Sequence, residues 1–156
     1  MSKQFAALGI SEPILKALTE LNISQPTEIQ QKTIPLLLVN KTDIVGLAKT
    51  GTGKTAAFGL PLLQLIDTTS PTVQAVILVP TRELGHQIFK NLEDFAKYLP
   101  EVSITATCGG IPIKPQIERL ATPTHIVVAT PGRLIDLIQR KAVNLKETKF
   151  LVLDEA

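Results

Sequence analysis

The chain has 156 residues, 44% hydrophobic and 19% charged. That suits one folded domain with a sizeable core, leaves too little for two, and excludes a disordered polyelectrolyte. The net charge of +2 is compatible with a nucleic-acid partner but does not argue for one. Cys108 is the sole cysteine, so an internal disulfide is excluded, in keeping with a reducing compartment. His86 and His125 belong to no cluster with metal-ligand spacing. Met1-Ser2-Lys3-Gln4 lacks the apolar core of a signal peptide, and the apolar stretch Ile34–Val39 is too short to cross a membrane. The expectation is a soluble cytoplasmic protein.

In chain order, helices are predicted over Glu12–Leu21 and Glu28–Thr33, with Pro35 interrupting the segment after them. Leu36-Leu37-Leu38-Val39 reads as core packing more readily than as a partner-binding patch. Short β-branched runs predict strands at Asp43–Leu47, Gln74–Val79, Val102–Cys108, His125–Thr130 and Phe150–Leu153. Their near-continuous apolar character suits strands buried on both faces of a parallel sheet. Between them lie predicted helices at Lys54–Ile66, Glu83–Tyr98, Gln116–Ala121 and Gly132–Arg140. In Glu83–Tyr98, Leu84, Ile88, Leu92 and Phe95 form one apolar stripe. Thr68–Thr72 and Ile111–Pro115 read as loops. Strands alternating with helices predict an α/β fold, a parallel sheet flanked by helices.

Ala48-Lys49-Thr50-Gly51-Thr52-Gly53-Lys54-Thr55 follows a predicted strand and opens a predicted helix, the setting of a phosphate-binding loop. The glycines let successive N–H groups turn inward, and the helix N-terminus adds partial positive charge. Lys54 is expected on the β- and γ-phosphates of a nucleotide and the Thr55 hydroxyl on Mg²⁺. Ala48 stands where the general pattern begins with Gly. The alternative is a glycine-rich turn with a surface lysine. Downstream, Phe150–Leu153 runs into Asp154-Glu155. A strand ending in two carboxylates suits the second half of a nucleotide-hydrolysing site. Asp154 would hold Mg²⁺ partly through water and Glu155 would orient and deprotonate the attacking water. A solvated acidic turn is the alternative.

Further segments occur in a fixed order: Pro26-Thr27-Glu28-Ile29-Gln30, Pro80-Thr81-Arg82-Glu83-Leu84, Gly109-Gly110, Thr130-Pro131-Gly132-Arg133 and Asp154-Glu155-Ala156. Phe5 lies seventeen residues before Asn22, which opens the nine-residue segment ending at Gln30. With the phosphate loop, this set resembles the first RecA-like domain of a DEAD-box RNA helicase, over nearly the whole chain from Phe5 to Ala156. The resemblance implies a RecA-like P-loop domain, incomplete at the C-terminus. Residues 1–40 would be N-terminal helices carrying an adenine-recognition motif within the same domain as 41–156. It implies an ATP-dependent RNA helicase with ATP and Mg²⁺ as cofactors, in which Phe5 stacks on adenine and Gln30 bonds the adenine edge. An amide can present the donor and acceptor that adenine requires. Thr27 and Gln30 also have capping-box spacing, so Gln30 could instead cap its own helix, and Phe5 could be a hydrophobic anchor. Asn22 replaces the family's usual glycine and can still enter a left-handed turn.

By the same resemblance Arg82, Gly110, Thr130, Gly132 and Arg133 contact the RNA backbone, or hold the loops that do, so little base preference is implied. Thr130-Pro131 also reads as a helix N-cap with proline in the first turn. Gly85 stands where the family usually has Ala, a substitution expected to cost the helix up to about 1 kcal/mol and nothing in function. Cys108 reads as a buried small apolar residue. The second RecA-like domain of the parent chain is an implied partner, as is the strand that would lie between the phosphate-loop and acidic-motif strands. The chain alone is therefore expected to show negligible RNA-stimulated ATPase and no unwinding. Competing readings are a DNA translocase or other P-loop NTPase, and a non-catalytic nucleotide- or RNA-binding module.

Overall fold

Parallel pairing dominates the chain's second half, where short strands rich in Ile, Val and Leu recur. The computed structural model describes residues 3–39, 43–49 and 51–155. Its helices are α1 (Lys3–Ala7), α2 (Glu12–Glu20), α3 (Glu28–Val39), α4 (Lys54–Leu65), α5 (Arg82–Phe95), α6 (Lys114–Leu120) and α7 (Pro131–Gln139). Its strands are β1 (Ala75–Leu78), β2 (Ile104–Thr107), β3 (Ile126–Ala129) and β4 (Phe150–Leu153). Most predicted elements are present and a residue or more shorter, the usual disagreement at element ends. The chain divides into two compact units, Met1–Leu65 with Asn91–Pro100, and Ile66–Lys90 with Glu101–Ala156.

In the first unit, α3 and α4 pack on one another. Helix α3 runs through Pro35 to Val39, where the sequence predicted an interruption. Proline deletes one backbone bond and kinks a helix, but Gln30, Thr33 and Ile34 are buried on the turn before it and hold the segment in place. The continuation corrects another expectation. Leu36 and Val39 are 44% and 80% exposed, while Leu37 and Leu38 are half-buried, so only part of that run packs. The α1–α2 turn is clamped from α4. Gln64 Nε2 donates to the Gly9 carbonyl at 2.9 Å, and its Oε1 accepts from the Ser11 N–H at 2.8 Å.

Three helices end in the same way, with crossed backbone bonds around a left-handed residue. After α1 it is Gly9 (φ +92°), after α2 Asn22 (φ +58°) and after α7 Lys141 (φ +56°). The long bonds of these closures run from Ile10 N to Phe5 O, Ile23 N to Leu18 O and Ala142 N to Leu137 O, at 3.2, 2.9 and 2.9 Å. Asn22 thus takes the left-handed turn that its sequence position requires.

In the second unit the sheet is wholly parallel, in the order β2-β3-β1-β4. Strand β3 is buried at all four positions, as a strand covered on both faces should be. Strand β4 departs from that expectation. It ends the strand order and alternates in burial, with Leu151 63% and Leu153 58% exposed. The predicted strand Asp43–Leu47 is absent. Residues 43–49 form no ladder, and Val45 and Leu47 are 88% and 91% exposed. Apolar β-branched residues make a strand only beside a partner whose N–H and C=O groups they can meet, and among the described residues this segment has none.

Helix α5 begins close against the sheet. A Cβ at Gly85 would stand 2.7 Å from Cys108 Sγ and 3.2 Å from Val79 Cγ2. The glycine is therefore a packing requirement and not merely a weak helix former. Cys108 is 5% exposed, the buried small residue expected, and burial pushes its thiol pKa up. Among the described residues no helix is long and apolar enough to cross a membrane.

Candidate functional site

The phosphate loop is built by glycine conformation and a helix start. Lys54 opens α4, so the turn before it runs into the positive end of a helix. Gly51 and Gly53 have φ of +80° and +83°, which side chains with a Cβ rarely adopt. Nothing lies within 4 Å of the point where a Cβ at Gly51 would stand, so the turn is open there for an anion. Thr52 donates its hydroxyl to the Lys49 carbonyl at 2.7 Å, closing the turn on itself. Lys49 is exposed, and Ala48, Thr52, Lys54 and Thr55 are half-buried. Thr50 lies outside the described residues.

Gln30 ties this loop to α3. The side chain is 3% exposed. Its Oε1 accepts from the Thr27 N–H at 2.9 Å, the capping-box bond. Its Nε2 donates to the Gly53 carbonyl at 3.0 Å, and that carbonyl also accepts from the Ala57 N–H at 3.1 Å. A Cβ at Gly53 would sit 2.3 Å from Nε2, so any side chain there would push the amide away. A primary amide has two donor hydrogens and two acceptor lone pairs. Among the described residues one of each remains after these bonds, so capping the helix does not exhaust the amide. Phe5 is different. It is wholly buried in α1 and its ring offers no exposed face in this arrangement.

The acidic pair closes β4. The Asp154 N–H donates to the Leu78 carbonyl at 3.0 Å, which extends the ladder by one residue. The Glu155 N–H donates to Asp154 Oδ1 at 3.1 Å, and Glu155 adopts φ +56°. Asp154 is half-buried and Glu155 is exposed. Their acceptors are hard oxygens, the donor type that Mg²⁺ selects. Among the described residues there is no group of three or more His, Cys, Asp or Glu side chains able to hold a metal.

Arg82, Gly110, Thr130, Gly132 and Arg133 all belong to the second unit. Thr130 sits at the N-cap position of α7, with extended backbone and Pro131 following it, but its side chain makes no capping bond. Its hydroxyl serves another loop, accepting from the Gly109 N–H at 3.1 Å. Arg133 Nη2 donates to the Ile111 carbonyl at 2.8 Å. Gly110 has φ +79°, and a Cβ there would lie 3.6 Å from Arg82 Nη1. Nothing lies within 4 Å of a Cβ at Gly132, so the backbone there is open to close approach. Sequence reasoning missed one member of this cluster. Gln116 is 5% exposed in α6, and its Nε2 donates to the Cys108 carbonyl at 3.1 Å. A single glutamine in a short predicted helix carries no signal until its burial is seen.

Residues 27–156 match the family described as DEAD/DEAH box helicase. The chain is 46% identical over 153 residues to the ATP-dependent RNA helicase CshA of Limosilactobacillus reuteri, covering 98% of this chain and 30% of that protein. It is 45% identical over 152 residues to the ATP-dependent RNA helicase DeaD of Escherichia coli strain K12, covering 97% and 24%. A DEAD box protein from the hyperthermophile Methanococcus jannaschii matches with a TM-score of 0.87 at 40% identity, over 96% of this chain and 40% of that one. A variant of Saccharomyces cerevisiae Dbp5 bound to RNA and ADP BeF3 matches with a TM-score of 0.87 at 31% identity, over 98% and 38%. The chain thus spans 24–30% of the length of these curated relatives.

Proposed function

Because this chain belongs to the DEAD/DEAH box helicase family, we propose that it is the ATP-binding first RecA-like domain of an ATP-dependent RNA helicase. The observation that carries this reading is the Gln30 amide, which joins the Thr27 N–H to the Gly53 carbonyl inside the phosphate loop. A generic triphosphate cradle needs no such amide. A cradle that tests for adenine needs one beside the phosphates, with a donor and an acceptor to spare. The same bond supports reading residues 1–40 as part of the domain that continues through 41–156.

Bound ATP with Mg²⁺ supplies the scissile phosphoanhydride and neutralises charge on its phosphates. The chain's own groups then have distinct tasks. The amides around Gly51 and Gly53 bind phosphate oxygens, and Lys54 adds a positive charge at the β- and γ-positions. Thr55 and Asp154 hold Mg²⁺, Asp154 partly through water. Glu155 orients the attacking water and accepts its proton. Gln30 reads the adenine edge. Phe5 takes an adenine face, which requires its ring to be uncovered first. Arg82, Gly110, Thr130, Gly132 and Arg133 meet the backbone of single-stranded RNA, directly or by holding the loop at Gly110. A second RecA-like domain of the parent chain completes both sites, and the protein works in the cytoplasm.

Titration of this chain with ATP and with GTP tests the nucleotide half. ATP should bind more tightly than GTP, Lys54→Ala should weaken both by at least about ten-fold, and Gln30→Ala should erase the preference for ATP. Equal binding of the two nucleotides by the unsubstituted chain would sink adenine recognition. Stimulation of the parent protein's ATPase by DNA as strongly as by RNA would favour a DNA translocase.

A further inference from the structure

We propose that Gln116 is a positioning residue for RNA, fixing the loop that carries Gly110. The inference rests on the reading of that loop as an RNA contact. Gln116 lies in α6, directly after the loop, and is 5% exposed. Its Nε2 donates to the carbonyl of Cys108, just before Gly109, at 3.1 Å. The same nitrogen lies 3.5 Å from the Pro112 carbonyl, just after Ile111. One buried amide therefore spans both ends of the segment 109–111.

Two other side chains hold the interior of that segment. Thr130 Oγ1 accepts from the Gly109 N–H at 3.1 Å, and Arg133 Nη2 donates to the Ile111 carbonyl at 2.8 Å. Both come from the α7 N-terminal region, which the proposed function places on RNA. Gln116 comes from a different helix, α6, and its Nε2 bonds go to the Cys108 and Pro112 carbonyls, neither a proposed ligand position. The three together fix the loop from before Gly109 to after Ile111, leaving Gly110 at its tip with φ +79°.

Stability alone is a poor reason to keep an amide here. Gln116 Oε1 is buried and has no hydrogen-bond partner among the described residues. A buried polar group with part of its capacity unmet is costly, and an apolar side chain of the same length would fill the space without that cost. What an apolar side chain lacks is a donor for the Cys108 and Pro112 carbonyls. The amide is explained if the loop's backbone must be presented in one conformation to a ligand that reads backbone geometry. A single strand of RNA is such a ligand, since its phosphates and sugars carry most contacts. A preformed loop also avoids the ordering entropy that a mobile one would lose on binding.

The test uses the full-length protein. Gln116→Met keeps the length and removes the donor. Hydrogen exchange at Gly109, Gly110 and Ile111, melting temperature, ATP affinity, and affinity for a fluorescent single-stranded RNA with a non-hydrolysable ATP analogue are compared with the unsubstituted protein. Loop exchange should accelerate and the RNA dissociation constant should rise, each by about ten-fold. ATP affinity and exchange in β3 should be unchanged, a split that general destabilisation would not produce. Gln116→Asn, which withdraws the amide by one methylene, should give the same split and serves if the Met variant fails to fold. Unchanged RNA affinity alongside accelerated loop exchange would overturn the proposal, as would unchanged loop exchange. Arg133→Ala and Thr130→Ala separate the two layers of the argument. If they weaken RNA binding and Gln116→Met does not, the positioning role falls and the RNA reading stands. If the unsubstituted protein shows no RNA protection of 109–111, both fall.

Discussion

Gly85 illustrates what a single position conceals. In the sequence it is a weak helix former where relatives of the resembled family carry alanine. In the structure it is the clearance for Cys108, which an added methyl would meet at 2.7 Å. Alanine should gain up to about 1 kcal/mol of helix propensity and lose about 1–3 kcal/mol to overpacking. We expect Gly85→Ala to destabilise the chain by about 1 kcal/mol. Gly85→Ala with Cys108→Ala should be more stable than Cys108→Ala alone, so a double-mutant cycle by urea unfolding should show favourable coupling. Additive effects would refute the contact. Gln30 was more legible. Its capping reading followed from its spacing to Thr27 and its adenine reading from the family resemblance, and the capping bond is present. The bond to Gly53 was not legible, because it joins residues that only the fold brings together.

Among the elements, α7 carries an avoidable cost at its end. Lys141 occupies the left-handed position of the closing motif, where glycine is favoured. Lys141→Gly should stabilise the chain by about 0.5–1 kcal/mol, read as a higher denaturant midpoint at constant m. Strand β3 begins beside a buried histidine, His125, at 3% exposure. Its Nδ1 accepts from the Ser103 N–H at 2.9 Å, so protonation there breaks a bond and buries a charge. Burial holds its pKa below the ordinary 6.5. The stability linked to it is present above that value and declines as pH falls below it, because the unfolded chain takes up the proton first. Unfolding midpoints between pH 7.5 and 5 should fall for the unsubstituted chain and less steeply for His125→Gln. Helices α2 to α7 were legible from their spacing, and all four strands from their apolar runs. The strand at Asp43–Leu47 was not realised, since composition specifies a strand's face and not the presence of a neighbour. Pro35 misled for the opposite reason, as burial of the preceding turn outweighed one lost backbone bond.

Taken whole, the molecule places its candidate groups in two compact units. The phosphate-loop segment and Gln30 belong to one, and the acidic pair and the residues proposed to meet RNA belong to the other. The family was legible because several short motifs occur in one order along the chain. The exposed face of β4 was not, because a four-residue apolar run reads as buried whatever covers it. We expect this chain alone to bind ATP yet to show negligible RNA-stimulated ATPase, since a transition-state arginine is worth about 10³–10⁵ in rate in comparable phosphoryl transfers and the proposed function draws it from a second domain. A coupled phosphate-release assay with and without single-stranded RNA checks this. Robust turnover by the 156-residue chain would contradict it.

The contact between Gly85 and Cys108 also constrains the order in which substitutions can accumulate. An alanine at 85 costs less once position 108 has shrunk, so the two orders of substitution pass through intermediates of different stability. A motif transplanted from a relative with alanine at 85 would carry that extra cost here unless residue 108 travelled with it.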